Sequence, residues 1–372
     1  MRAEACLSWY SAWAEDDPAS AAIVLQTNVL SYAGLWERIV ERRRMLSDSG
    51  LRPGQRIVID STVDEGNWIV GLLAALAAGA QAILSDSDWS AARRATALAA
   101  LSPAFHCDGD RISRVQSPAA GQEDAGNPGV WLFTSGTTAE PEPHFRSLDL
   151  IGAMVERVRA RWPHSLTASR PRVFSTAPLS HGFGLINALL LPHAIGGTLI
   201  VDDFRAPAQT VARIAALEPQ VLLAWPAHYR NMADAKLWPE RNGLTWCVSS
   251  SFRLEPEIAR RFADRAGCLP RSQYGMTETG PLCLDGAIPA NAAAYCVGSP
   301  LSGVAMTVLD AKGAALPAGA KGRLCTRVED VALAAPRDYW DTGDVGSIDD
   351  RGNVFVYGRS SAFTDERKEP RP

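Results

Sequence analysis

The sequence has no C-x-x-C pair: Cys6, Cys107, Cys247, Cys268, Cys283, Cys296 and Cys325 are scattered along the chain. An odd, unpaired set fits reduced thiols rather than a disulfide framework, and zinc is not expected. Dense Lys/Arg runs are missing as well. With 37 basic against 41 acidic side chains the net charge is -4, which leaves no electrostatic footprint for nucleic acid or an anionic membrane. The most apolar window, Trp68 to Leu84, is rich in Ala and Gly and interrupted by Gln81, so it suits a buried helix running into a strand better than a membrane span. The opening MRAEACLSWYSAWAEDDP carries acids where a secretion signal needs an unbroken apolar stretch. A soluble cytoplasmic protein is the expectation. There is also no internal repeat of fixed period and no G-x-x-x-x-G-K-S/T loop, which disfavours a P-loop NTPase.

What is present is ordinary for a globular chain: 372 residues, 47% hydrophobic and 21% charged, values that exclude a disordered, collagen-like or coiled-coil protein. At roughly 150 residues per domain the length admits one large multilayered body or two smaller ones.

Along the chain, residues 31–49 place Leu35, Ile39, Arg42/Arg43 and Leu46 at helical spacing, with Ser31 as N-cap and Gly50 as the stop. LRPGQ then reads as a turn, RIVID as a strand, 65–78 as a helix, AQAILSD as a strand and 90–101 as a helix. The middle repeats the theme with VWLFT, helix 148–160, RVFST, helix 184–191, TLIVDD, helix 207–217, VLLAW and LTWCVSSS. Strands separated by helices imply right-handed crossovers and a mostly parallel sheet. Their apolar runs lack clean alternation, which fits strands covered on both faces. After residue 295 the segments VAMTVLD, GRLCTRV, VGSIDD and NVFVYG are punctuated by Gly and Pro and alternate, predicting a smaller antiparallel unit. The expected fold class is α/β: a large multilayered body over 1–294 with mostly parallel sheets flanked by helices, a small antiparallel β subdomain over 295–360, and a disordered tail over 361–372.

Chemistry is most legible in LFTSGTTAEPEPHFR, residues 132–146. A strand that ends in Thr134, Ser135, Gly136, Thr137 and Thr138 offers four hydroxyls and a flexible glycine, so side chains and backbone N–H groups can converge on one polyanion. Taken alone, the same residues would serve as well as a polar turn.

Three further blocks change that balance: PLSHGFG at 178–184, QYGMTETG at 273–280 and YWDTGDVGSIDDRGNVFVYGR at 339–359. With FTSGTT they stand in the order and spacing of the adenylate-forming superfamily of acyl- and aryl-CoA synthetases, luciferases and nonribosomal peptide adenylation domains, which the chain resembles from about Ser8 to Arg359. The resemblance implies that Thr134, Ser135, Gly136, Thr137 and Thr138 hold the β- and γ-phosphates of ATP. It implies that Tyr274, followed by Gly275, stacks on adenine, and that Thr277 and Glu278 contact phosphate and a bound Mg²⁺. One carboxylate plus substrate phosphates is a usual Mg²⁺ arrangement. Without the resemblance, TET would read as a helix N-cap and Asp344 as an Asx-type turn residue. With it, Asp344 matches the carboxylate that accepts from the ribose hydroxyls and Arg359 the basic residue near the ribose. His181 matches the residue at the mouth of the carboxylate pocket, which Phe183, Trp225 and His228 would help to line. A lone histidine is otherwise a structural hydrogen-bonder, and an aromatic near a strand end is otherwise core.

The implied activity is attack by a substrate carboxylate on the α-phosphate of ATP, giving an acyl-adenylate that passes to CoA or to the phosphopantetheine of an acyl-carrier protein. Such a displacement asks for positioning and charge neutralisation rather than a protein nucleophile. An aryl or medium-chain acid is the expected small carboxylic acid partner. Three departures stand against full activity. Glu142 occupies the place of the family's loop lysine, with His144 and Arg146 behind it as compensating cations; SSSFR at 249–253 replaces the small residues of the adenine-side loop, introducing Phe252; and the chain ends at Pro372, with Ala362 in place of the hinge acid, so the family's C-terminal lid and its lysine are expected to be absent or supplied by a separate partner. The alternative expectation is a catalytically impaired nucleotide- or acyl-binding partner in a biosynthetic assembly.

Overall fold

The computed structural model describes residues 5–60, 64–85, 89–115, 126–134, 142–235, 238–286, 295–329 and 339–360. The loop residues Ser135, Gly136, Thr137 and Thr138, the position Ala362 and the tail 361–372 lie outside them. By packing, the chain forms two units, Met1–Glu156 with His164–Asp203, and Arg157–Pro163 with Phe204–Pro372.

The first unit runs α1 (Ala5–Asp16), β1 (Ala21–Val24), β2 (Val29–Ser31), α2 (Tyr32–Asp48), β3 (Arg56–Ile59), α3 (Glu65–Ala77), β4 (Gln81–Leu84), α4 (Ala91–Leu101), β5 (Phe105–Asp108), β6 (Arg111–Arg114), β7 (Gly129–Phe133), β8 (Pro143–Ser147), α5 (Leu148–Arg159), α6 (His164–Thr167), β9 (Arg172–Ser175), a π-helix (Gly184–Leu190), α7 (Leu191–Ala194) and β10 (Thr198–Val201). Strands β5, β3, β4 and β7 are mutually parallel, flanked by β6 and β8 as antiparallel edges. A second sheet runs β9-β10-β1-β2, parallel except for β2. Ser31 caps α2 by accepting from Gly34 N, and Gly50 ends it at φ +92°. Val58, Ile83 and Leu101 form a buried cluster under β3, β4 and α4.

The second unit runs α8 (Pro207–Leu217), β11 (Val221–Ala224), α9 (Pro226–Ala233), β12 (Trp246–Ser249), α10 (Pro256–Ala266), β13 (Arg271–Met276), β14 (Gly280–Gly286), β15 (Tyr295–Pro300), β16 (Val304–Leu309), β17 (Gly322–Val328), β18 (Trp340–Ile348) and β19 (Val354–Arg359). Strands β11, β12 and β13 are parallel, and from β13 onward every pairing is antiparallel, in the order β13-β14-β15-β19-β18-β17-β16. The residues of β11 and β12 are buried throughout, as unalternating apolar runs require when helices cover both faces. Leu282, Cys283, Val297, Val308, Leu324, Val328 and Val354 make the core of the antiparallel part. The switch of pairing therefore begins at the β13–β14 hairpin.

Three local expectations are corrected. Residues 184–191 are wound as a π-helix running into α7 rather than as one α-helix. Pro192 has no N–H to give to the ladder, and the amide of Leu191 reaches back five residues to Ile186 O. Residues 143–147, given no element in the sequence, form the edge strand β8, where proline is tolerated at the first position. Finally, Thr277-Glu278-Thr279 is the turn of the β13–β14 hairpin, not a helix cap.

Candidate nucleotide site

The best-defined polar constellation lies in the second unit, where β13, β18 and β19 each contribute one side chain. Tyr274 packs its ring against the antiparallel core, and its hydroxyl donates to Asp344 Oδ2 at 2.6 Å. Asp344 is held on β18 by its own amide, which donates to Thr342 Oγ1 at 3.2 Å, while Thr342 Oγ1 donates to Leu324 O at 2.8 Å. Arg359 is the cross-strand partner of Asp344 on β19. Its Nε stands 3.5 Å from Asp344 Oδ1 and its Nη1 donates to Thr342 O at 3.1 Å.

Glycine at 343 is favoured by its φ of +75°, and a Cβ there would stand 3.2 Å from Arg359 Nη1, which would have to shift slightly. The Asx-type contact expected of Asp344 is made instead by Asp341, whose Oδ1 accepts from Gly343 N at 2.8 Å. Asp341 also pairs with Arg323 at 2.9 Å.

Burial pushes the Asp344 carboxyl above the usual aspartate range; the Tyr274 hydroxyl and the Arg359 guanidinium pull it down, and Asp341 adds to the rise. The Tyr274 phenol is driven far above its ordinary range by burial and by the Asp344 charge. It is therefore a permanent donor, and the pair is polarised in one direction only.

A second group sits at the C-terminal ends of β11 and β12. Trp225 stacks on His228 at 5.9 Å, His228 stacks on Phe204 at 4.0 Å, and the edge of Phe252 meets Trp225 at 6.0 Å and 82°. Phe252 is 59% exposed in a loop whose preceding residue, Ser251, has φ +74°. Ser250 Oγ donates to Gln273 O at 2.9 Å, tying this loop to β13. The buried atoms Ser249 Oγ, Gln273 Oε1 and Thr279 Oγ1 have no hydrogen-bond partner among the described residues, an arrangement that natural proteins keep where something else is to be bound or strain is stored. Gly275 follows Tyr274 where a Cβ would lie 2.6 Å from Gly280 O. Thr277 and Glu278 are half-buried in the hairpin turn. Among the described residues no three His, Cys, Asp or Glu side chains converge into a metal cage. A Mg²⁺ at Glu278 would therefore take its remaining ligands from phosphate and water, which is the mode this ion commonly adopts.

The first unit holds the other expected residues. Thr134 follows β7; its amide donates to Glu142 O at 3.1 Å, and Glu142 N donates to Thr134 Oγ1 at 3.2 Å. Thr134 and Glu142 are thus tied to each other by two hydrogen bonds. His144 faces Leu132 across the β7–β8 pair, and Arg146 is buried with Nη1 donating to Phe145 O at 2.7 Å. His181 lies in a tight turn, its amide donating to Pro178 O and its carbonyl accepting from Leu185 N at 2.8 Å. Phe183 is buried, and its carbonyl accepts from Asn187 Nδ2 at 3.1 Å.

The structure thus gathers Tyr274, Asp344 and Arg359 in one cluster and Trp225 and His228 in another. It adds Thr342, Gly343, Phe204 and Phe252 to them. Gly343 carried a signal, a glycine inside a strand pattern; Phe204, far from any motif, carried none.

The chain belongs to the AMP-binding enzyme family, whose model matches residues 10–334. It is 30% identical over 277 residues to the sulfoacetate–CoA ligase of Cupriavidus necator, covering 69% of this chain and 52% of that protein. It is 27% identical over 288 residues to the 2-hydroxy-7-methoxy-5-methyl-1-naphthoate–CoA ligase of Streptomyces carzinostaticus, covering 68% and 48%. The chain spans about half the length of these curated relatives. Among solved structures, ATP-bound MatB from Rhodopseudomonas palustris superposes with a TM-score of 0.79 at 22% identity, covering 95% of this chain and 78% of that one, a likeness of fold. No helix among the described residues is long and apolar enough to cross a membrane.

Proposed function

We propose that the protein binds Mg·ATP and activates a small carboxylic acid, aryl or medium-chain, as an acyl-adenylate for transfer to CoA or to an acyl-carrier protein. The observation that carries this reading is the Tyr274–Asp344–Arg359 cluster. A permanently protonated donor holds one carboxylate oxygen, so the other is available to a vicinal diol such as a ribose, and Tyr274 presents an aromatic ring beside it. In the reaction the acid's oxygen forms a bond to the α-phosphorus as the bond to the pyrophosphate oxygen breaks. No proton need be removed from a carboxylate nucleophile, so the chain's contribution is alignment and charge neutralisation. Bound Mg²⁺ would supply neutralisation of the phosphate charge. Thr134 with Ser135, Gly136, Thr137 and Thr138 would hold the β- and γ-phosphates, Thr277 and Glu278 the phosphate and metal side, and Tyr274, Gly275, Asp344 and Arg359 the nucleoside. Trp225 and His228 would contact the acid, and His181 and Phe183 keep the acid-side role that the family resemblance implies. Kinship with ligases of acids as different as sulfoacetate and a naphthoate leaves the acid open, and the aromatic group around Trp225 and His228 favours a planar one.

A second reading, a catalytically impaired nucleotide- or acyl-binding partner, is favoured by Glu142. Its backbone is locked to Thr134, the first residue of the proposed phosphate motif. A like rather than an opposite unit charge about 4 Å from phosphate differs by several kcal/mol at an effective dielectric near 20. Pyrophosphate exchange with a panel of benzoic, cinnamic and medium-chain acids, run beside calorimetric titration of Mg·ATP, separates the two. Acid-dependent exchange supports ligase chemistry, and binding without exchange selects the impaired partner.

A further inference from the structure

We propose that Tyr274 is a positioning residue for Asp344, and that its hydroxyl, separately from its ring, holds the carboxylate oriented and ionised for a ligand hydroxyl. The inference rests on the nucleotide-binding reading above and assigns the phenol oxygen a task the ring alone cannot perform.

A carboxylate only accepts, so the 2.6 Å contact has the phenol as donor and fixes Oδ2. Thr342 spends its hydroxyl hydrogen on Leu324 O and accepts the Asp344 amide, which leaves it no hydrogen for the carboxylate. Arg359 is a poor holder of Oδ1, because its Nε is 3.5 Å away and its side chain is 70% exposed. Tyr274 thus makes the one short, part-buried hydrogen bond that the described side chains give to this carboxylate.

The charged and titratable groups that face Asp344 are Tyr274 from β13, Arg359 from β19 and Asp341 from its own strand; Arg323 on β17 reaches it only through Asp341. Burial favours the protonated acid and the phenol opposes that. Deleting the hydroxyl leaves burial and Asp341 less opposed, so Asp344 takes up a proton at higher pH. Phenylalanine keeps the ring and its packing on the core, so Tyr274→Phe removes only the proposed function of the oxygen.

The test uses the unliganded protein first. With aspartate carboxyls labelled with carbon-13 and the Asp344 resonance assigned through Asp344→Asn, its titration midpoint in Tyr274→Phe should rise by about half a pH unit or more. Mg·ATP affinity, measured by calorimetry on both proteins, should then fall by about threefold or more on the acid side of that midpoint. Thermal unfolding of Tyr274→Phe verifies that it is folded; if it is not, the Asp344 midpoint is read on Tyr274→Leu, whose side chain offers no donor. An unchanged Asp344 midpoint overturns the proposal while leaving nucleotide binding intact. A raised midpoint with equal Mg·ATP affinity at every pH overturns the claim that the oriented carboxylate serves the ligand. Wild-type protein that binds no Mg·ATP at any pH instead sinks the nucleotide reading, and this assignment with it.

Discussion

Asp344→Asn tests the site most sharply, because it removes a charge while keeping the shape of the side chain. Of the two carboxylate oxygens, Oδ2 is engaged by Tyr274 and, among the described residues, Oδ1 faces only the long contact to Arg359. A hydrogen bond from a ligand hydroxyl to an ionised acceptor is worth about 1.5–3 kcal/mol net, and each 1.4 kcal/mol is about tenfold in affinity. The substitution should therefore weaken Mg·ATP by roughly tenfold to a hundredfold. Stability should move the other way. Since burial raises the folded pKa of Asp344 above its unfolded value, ionisation opposes folding, and the associated stability is lost as pH rises from the ordinary aspartate range through the raised folded value. Asparagine carries no such penalty at neutral pH, so its Tm there should equal or exceed that of the wild type. Calorimetric titration and scanning calorimetry read both quantities on the same sample. Wild-type affinity in the variant refutes the nucleotide role, and a Tm lowered by several degrees shows that Asp344 is a structural carboxylate instead.

Gly343→Ala should cost about 1–2 kcal/mol of stability from the left-handed backbone and displace Arg359, whose Nη1 the new methyl would crowd; an unchanged denaturation midpoint would contradict this. Phe252→Ala should leave stability within about 0.5 kcal/mol, as an exposed side chain does, yet change KM for the acid or for ATP. A large stability loss with unaltered kinetics would make Phe252 a packing residue. His193 is fully buried, with its ring nitrogens facing Leu189 O and Ala22 O, and burial lowers its pKa to about 4. Below its unfolded pKa the unfolded chain takes up a proton that the folded chain refuses, so stability falls as pH drops from 6.5 to about 4, by about 3 kcal/mol in all. In His193→Gln that slope should flatten, and parallel stability curves for the two proteins would rule the account out.

The sequence resolves the parallel half of the fold well because each βα step carries local punctuation. Ser31 and Gly50 bracket α2, and Pro207 opens α8. Elements without such marks escape it. The edge strand β8 is hidden by Pro143, and the π-helix has the same apolar content as an α-helix, differing only in how Pro192 and the turn at Gly184 unsettle the ladder. Helices α9 and α10 carry the same mark as α8, a proline in the first turn. The site is legible as motifs but not as contacts. Nothing in QYGM and DTGD, about seventy residues apart, says that Tyr274 donates to Asp344, since that bond depends on how the antiparallel strands return. Phe204 reaches His228 through tertiary packing at a residue of φ +55°, which no periodicity encodes.

Under the proposed function, the tyrosine–aspartate–arginine cluster serves the attack of an acid on the α-phosphorus of ATP. Single-turnover quench with excess protein, Mg·ATP labelled in the α-phosphate and an aromatic acid should yield an acyl-adenylate and pyrophosphate in equal amounts, with the yield collapsing in Asp344→Asn. Label that remains in ATP, or that appears as AMP without acid dependence, would contradict it.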